Sequence, residues 1–128
     1  MEPRFLEIHE IVAIHQDQIA RYGGSPGVRD MGLLESAVAM PRSGFRGEHF
    51  HSFPFGMAAA YLFHLVKNHP FVDGNKRVGA AAALVFPDLN GADLKLSNRA
   101  LVDLVLQVAE GRKEKPEVET FLRDRARA

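Results

Sequence analysis

The chain has 128 residues, in which sixteen acidic side chains balance sixteen basic ones and cysteine is absent. That length suits one domain burying about two thirds of its unfolded surface. Neutrality excludes the broad positive field that holds a nucleic-acid backbone, and the lack of cysteine excludes disulfide frameworks and thiolate metal sites, as suits a reducing compartment.

From Pro3 to Tyr22, Phe5, Ile8, Ile11, Val12, Ile14 and Ile19 recur at three- and four-residue spacing, which predicts a helix with one buried face, stopped by YGGSPG. Asp30 is a predicted cap for a short second helix carrying Leu33, Leu34, Ala37 and Val38 and closed by Pro41. The stretch from Pro41 to Pro54 has neither helical nor alternating period and is long for a connection, so it reads as a flap. Its Phe45, Phe50 and Phe53, with Phe55 just beyond, suit packing, and the first three also suit a substrate-docking flap.

Phe55 to Asn68 returns to helical spacing, and Pro70 puts His69 at the helix exit, because a residue before proline is pushed out of the helical region. Asn75 to Phe86 is apolar nearly all round, with Gly79 and four alanines allowing close backbone approach, and is predicted to be the buried central helix. Pro87 costs a helix interior about 3 kcal/mol or more, so a kink or an end is expected near Phe86. LNGADLKLS reads as a turn and a short extended piece. Ser97 caps a helix through Gly111, and Pro116, with Glu117 and Glu119 in the first turn, opens a terminal amphipathic helix. Nothing reads as a sheet, so the expected architecture is an all-α bundle spanning residues 1–128. MEPRFLEIHE lacks a basic start followed by an apolar run, and no segment approaches the roughly eighteen apolar residues of a membrane span. A cytoplasmic protein without membrane or nucleic-acid contact is expected.

The chemistry concentrates in NHPFVDGNKRVG, between the two most apolar helices. The first-turn amides of a helix starting near Asn75 lack intrahelical acceptors and carry the positive end of the dipole, which makes an anion site. Gly74 lets a phosphate approach the backbone, while Lys76 and Arg77 add two cations. Asp73 would repel phosphate unless magnesium lies between them, and Asn75 is placed to donate its amide to the same group. An imidazole accepts protons at neutral pH, so His69 is the candidate base for an attacking hydroxyl, with Phe71 anchoring the loop in the core. Base, magnesium and cradled polyphosphate define transfer of a phosphoryl or nucleotidyl group. His49 and His51 read as solvated loop residues more readily than as metal ligands, and His9, His15 and His64 as core-edge or surface groups.

With ARYGG, GVRDMGLLESAVAMP, NHPFVDGNKR and LNG in order, the sequence resembles the Fic/Doc family, and within it the Doc branch of bacterial toxin-antitoxin toxins. The resemblance implies a compact helical bundle with His69 as general base, Asp73 on magnesium, and Gly74, Asn75, Lys76 and Arg77 on the phosphates of ATP. Arg21, before YGG, resembles a recurring Doc position with an accessory role. In the adenylylating pattern, glycine stands where this chain has Lys76 and a second arginine where it has Ala80. The departure implies an inverted ATP that presents its γ-phosphate, and hence a protein kinase acting on a threonine of elongation factor Tu. Adenylyl transfer and a non-catalytic nucleotide-binding module are the alternatives. No S/T-x-x-x-E-G/N inhibitory string occurs, so restraint is expected from a Phd-like antitoxin.

Overall fold

The computed structural model describes residues 2–127. Six helices, α1 (Ile8–Tyr22), α2 (Met31–Ala39), α3 (Phe55–Asn68), α4 (Asn75–Leu89), α5 (Asn98–Ala109) and α6 (Lys115–Asp124), share one core, and a 3₁₀ turn, Met40–Arg42, follows α2. The expected all-α bundle is present. Among the described residues, no helix is long and apolar enough to cross a membrane.

Local signals placed several boundaries. Asp30 accepts the Leu33 amide at the start of α2, and Ser97 accepts the Ala100 amide at the start of α5. The first helix, expected from Pro3, begins instead at Ile8, where Glu7 and Glu10 form a reciprocal capping box. A residue before it is held outside the helix by a tertiary contact. The buried Tyr61 hydroxyl accepts the Leu6 amide at 2.8 Å and donates to the Leu6 carbonyl at 3.1 Å. Burial pushes the Tyr61 phenol up to about 12, so it stays a donor at any working pH.

The flap contains a sheet that the sequence did not reveal. β1 (Gly44–Phe45) and β2 (Glu48–His49) pair antiparallel around Arg46 and Gly47, both at positive φ, as a two-residue hairpin turn requires. Gly44 has no room for a side chain, because a Cβ there would collide with the Glu48 carbonyl.

The buried axis is α3, not α4. Gly56 through Leu62 are all buried, and the helix packs against α2, α4, α5 and α6. α4 instead keeps Lys76, Leu84, Asp88 and Leu89 exposed. Its small residues do permit the expected close approach. A Cβ on Gly79 would lie 2.8 Å from Val66 Cγ2 and 3.2 Å from the Leu62 carbonyl, so α3 and α4 meet nearly backbone to backbone. α4 also runs past Pro87 to Leu89. The end beyond the proline is secured by Asn90, whose Nδ2 donates to the Phe86 carbonyl at 2.8 Å and whose side chain also bonds the Arg4 backbone.

α6 docks on α3 beside a cluster of nitrogen bases. Lys115 Nζ lies 2.9 Å from His64 Nε2, with His51 close to both. Burial first, then the Lys115 charge, push His64 down to about 4 and hold His51 below its ordinary value. An unfolded chain binds a proton at His64 below about pH 6.5, whereas the folded chain resists until about pH 4. Stability is therefore fully present above pH 6.5 and declines as pH falls toward 4. With solvent screening of this half-buried site, the loss should be about 1–2 kcal/mol. Urea midpoints at pH 7 and pH 4.5 should show it, and His64→Gln should remove most of the difference; an unchanged difference would reject this origin.

Candidate active site

The motif joins the C-terminus of α3 to the N-terminus of α4. α3 ends at His69, which adopts the left-handed conformation at φ 55°, ψ 51° and exposes its side chain. Pro70 makes this conformation more costly still. It is held by the segment before α2. Val28 bridges Phe71 in antiparallel fashion, the Arg29 and Asp30 amides both donate to the Pro70 carbonyl, and Val72 donates to Gly27. The Arg29 guanidinium then closes the end of α3, with Nε on the His69 carbonyl at 2.8 Å and Nη2 on the Asn68 carbonyl at 3.2 Å.

Inside the loop, Phe71 is buried as expected, and its ring stacks face to face on His15 with centroids 3.8 Å apart. His15 is thus a core residue rather than a surface one, and its Nε2 donates to the Asp73 carbonyl at 2.7 Å. Asn75 corrects the reading of its side chain as a phosphate donor. Its Oδ1 accepts the Phe71 amide at 2.9 Å and its Nδ2 donates to the Phe71 carbonyl at 3.0 Å, with the residue only 3% exposed. The side chain therefore staples the loop, and what Asn75 can offer an anion is its backbone N–H.

The Gly74 amide is likewise engaged, donating to Asp73 Oδ1 at 2.8 Å. The amides left without a side-chain partner are those of the first turn of α4 beyond Gly74, where the helix has no side-chain cap. Lys76 is exposed, and Arg77 is tethered through Nη1 to the Gln18 carbonyl at 3.2 Å. His69, Val72, Asp73, Gly74, Asn75, Lys76 and Arg77 together line one cleft of about 290 Å³. The YGGSPG turn abuts Asp73 and Arg77. A Cβ on Gly24, which sits at φ 114°, would come within 2.7 Å of Asp73 Oδ2 and 2.9 Å of Arg77 Nη2. Asp73 Oδ2 also accepts the Ser25 amide at 3.2 Å. The bonds from Ser25 and Gly74, with the nearby Arg77 charge, hold this exposed carboxyl below its usual range, so it is ionised at neutral pH.

Several predicted residues lie elsewhere. Arg21 pairs with Asp17 on the exposed face of α1, and Phe45, Phe50 and Phe53 line no part of the cleft. Phe53 instead meets Phe86 edge-on, and the flap leans on α6 through the bond from Ser52 Oγ to Glu119. The hairpin precedes α3, whose fourteen residues span about 21 Å before His69. His49 meets Phe5 edge-on, and His51 is half-buried beside His64 rather than solvated. Among the described residues, no group of three or more His, Asp or Glu side chains gathers to hold a metal ion. A single carboxylate such as Asp73 does fit magnesium, which is commonly held by one or two carboxylates, waters and phosphate oxygens.

Residues 5–87 match the Fic/DOC family pattern, and that interval contains every residue lining the cleft. The chain belongs to the Fic/DOC family. Among its curated relatives in the family is "Toxin Doc" of Mycolicibacterium smegmatis, 45% identical over 73 residues. That match covers 57% of this chain and 56% of the relative, so it spans little more than half of each. "Protein kinase doc" of Escherichia phage P1 is 32% identical over 108 residues, 84% of each chain. Within this Fic/DOC member, His15, Gln18, Ser25 and Arg29 support the motif from outside it. None carried a local signal in the sequence, because each bonds through a backbone atom or to one.

Proposed function

We propose that the protein is a Doc-like toxin of the bacterial cytoplasm, a magnesium- and ATP-dependent protein kinase that phosphorylates a threonine of elongation factor Tu and thereby stops translation. The observation that carries this reading is that exposed His69 and the uncapped start of α4, with Lys76 and Arg77, line the same cleft. Phosphoryl transfer needs a proton acceptor beside a positively charged cradle, and little other covalent chemistry from the protein. The acceptor hydroxyl oxygen forms a bond to the γ-phosphorus, the bridging P–O bond breaks with its electron pair leaving on ADP, and the hydroxyl proton passes to the imidazole of His69. Lys76, Arg77 and the α4 amides hold the phosphate oxygens in line. Magnesium, held by Asp73 and the phosphates, would neutralise charge that develops on the leaving group.

Two observations favour the γ-phosphate as the group transferred. Lys76 and Ala80 stand where an adenylylating site has glycine and a second arginine, and the relative from phage P1 bears the name protein kinase. An antitoxin of the Phd kind, covering the cleft, would supply restraint. With purified elongation factor Tu, label from γ-³²P-ATP should appear on the substrate and label from α-³²P-ATP should not. Label from the α position alone would assign adenylyl transfer instead. Magnesium-dependent ATP binding without transfer of either label, to this substrate or to extract proteins, would leave a binding module.

A further inference from the structure

The two ends of the motif loop are anchored to different parts of the protein. His69 is held from the α2 side by Arg29 and by the pairing of Arg29 and Asp30 with Pro70. Asp73 and Arg77 are held from the α1 side. His15 Nε2 donates to the Asp73 carbonyl, the Gln18 carbonyl accepts from Arg77, and Ile19 Cδ1 lies only 3.2 Å from where a Gly74 Cβ would be. The His15 contact is the buried one, since the residue is 1% exposed and its ring is stacked 3.8 Å from Phe71 at an interplanar angle of 7°. A carbonyl oxygen can only accept, so Nε2 carries the hydrogen and the donor is fixed in direction by the stack.

We propose that His15 is a positioning residue for the cation-and-phosphate end of the site. Its N–H orients the peptide between Asp73 and Gly74. That peptide sets both the direction of the Asp73 carboxylate and the approach to the first turn of α4. His69, anchored independently, does not depend on it. The inference rests on the cleft being the magnesium-ATP site, and the experiment separates the two.

His15→Phe keeps a flat ring against Phe71 and removes the donor. Isothermal titration of Mg-ATP at a series of magnesium concentrations should show the magnesium needed for half-maximal binding rising about tenfold, the range found when a partner behind a metal ligand is lost. The thermal midpoint should stay within a few degrees, and maximal turnover at saturating magnesium within about threefold. His15→Gln, which retains a donor able to reach the Asp73 carbonyl, should recover most of the magnesium affinity even if it is less stable. An unchanged magnesium requirement in His15→Phe overturns the role of His15 while leaving the cleft intact. Loss of turnover in step with loss of stability, at constant magnesium requirement, shows a purely structural role and also overturns it. A native protein that binds no Mg-ATP overturns the reading of the cleft itself and the proposal with it.

Discussion

Replacing His69 with glycine is expected to abolish group transfer while making the protein slightly more stable. The residue sits at φ 55°, a conformation that disfavours any side chain bearing a Cβ, and it does so immediately before a proline. Glycine relieves the Cβ part of that cost, partly offset by the greater freedom it gives the unfolded chain, for a net gain of up to about 1 kcal/mol. The side chain is exposed, so its removal leaves no cavity. Loss of a general base, by contrast, lowers turnover by about 10²–10⁴-fold. The left-handed conformation also terminates α3, as a residue just past a helix end commonly does, so the assay rather than the strain assigns the role of His69. Transfer of label from γ-³²P-ATP and the urea midpoint measure the two halves of this expectation. Wild-type transfer by His69→Gly would remove His69 from the chemistry, and His69→Ala serves as a control that keeps the Cβ.

Asn75→Ala should have the opposite character, a large loss of stability that is present before any nucleotide is added. The substitution leaves the Phe71 amide and carbonyl, both bonded to Asn75 in a buried site, without partners. Two unsatisfied backbone groups cost on the order of 2–5 kcal/mol together. The loss should appear as a lowered urea midpoint in the absence of ATP and magnesium. Asn75→Asp, which keeps the acceptor but sets a buried carboxylate oxygen against the Phe71 carbonyl, should lose at least as much at neutral pH. Had the side chain served phosphate, as its place in the motif suggested, stability without nucleotide would be unchanged and only ATP affinity would fall. That result would reject the stapling role.

The elements legible in the sequence were those whose signals lie within a few residues. Asp30 and Ser97 announce their helices because a cap bonds three residues ahead. The misplaced features were decided across the chain or carried local signals too short to read. Phe5 fell in the helical spacing, yet Leu6 beside it lies outside α1, its backbone bonded to Tyr61 from 55 residues away. The hairpin was hidden because each strand is two residues long and its turn is Arg46-Gly47 rather than a familiar asparagine-glycine pair. α4 looked like the core helix because small residues and buried residues read alike in composition. Its Gly79 serves to let α3 approach, and α3 takes the centre.

The same division runs through the site. The residue types that the chemistry needs, a base, a carboxylate, a glycine and two cations, stand in nine consecutive positions, and the helix boundaries on either side place them at one junction. So much is determined by the sequence alone, because caps, proline and glycine act on the backbone locally. Which of those atoms face a ligand was decided only by the tertiary structure. It engaged the Asn75 side chain and the Gly74 amide internally, drew Arg77 toward Gln18, and brought His15 and Arg29 from 58 and 40 residues away to fix the loop. Those long-range bonds end on backbone carbonyls, which are the same in every residue, so no residue type in the motif could announce its partner.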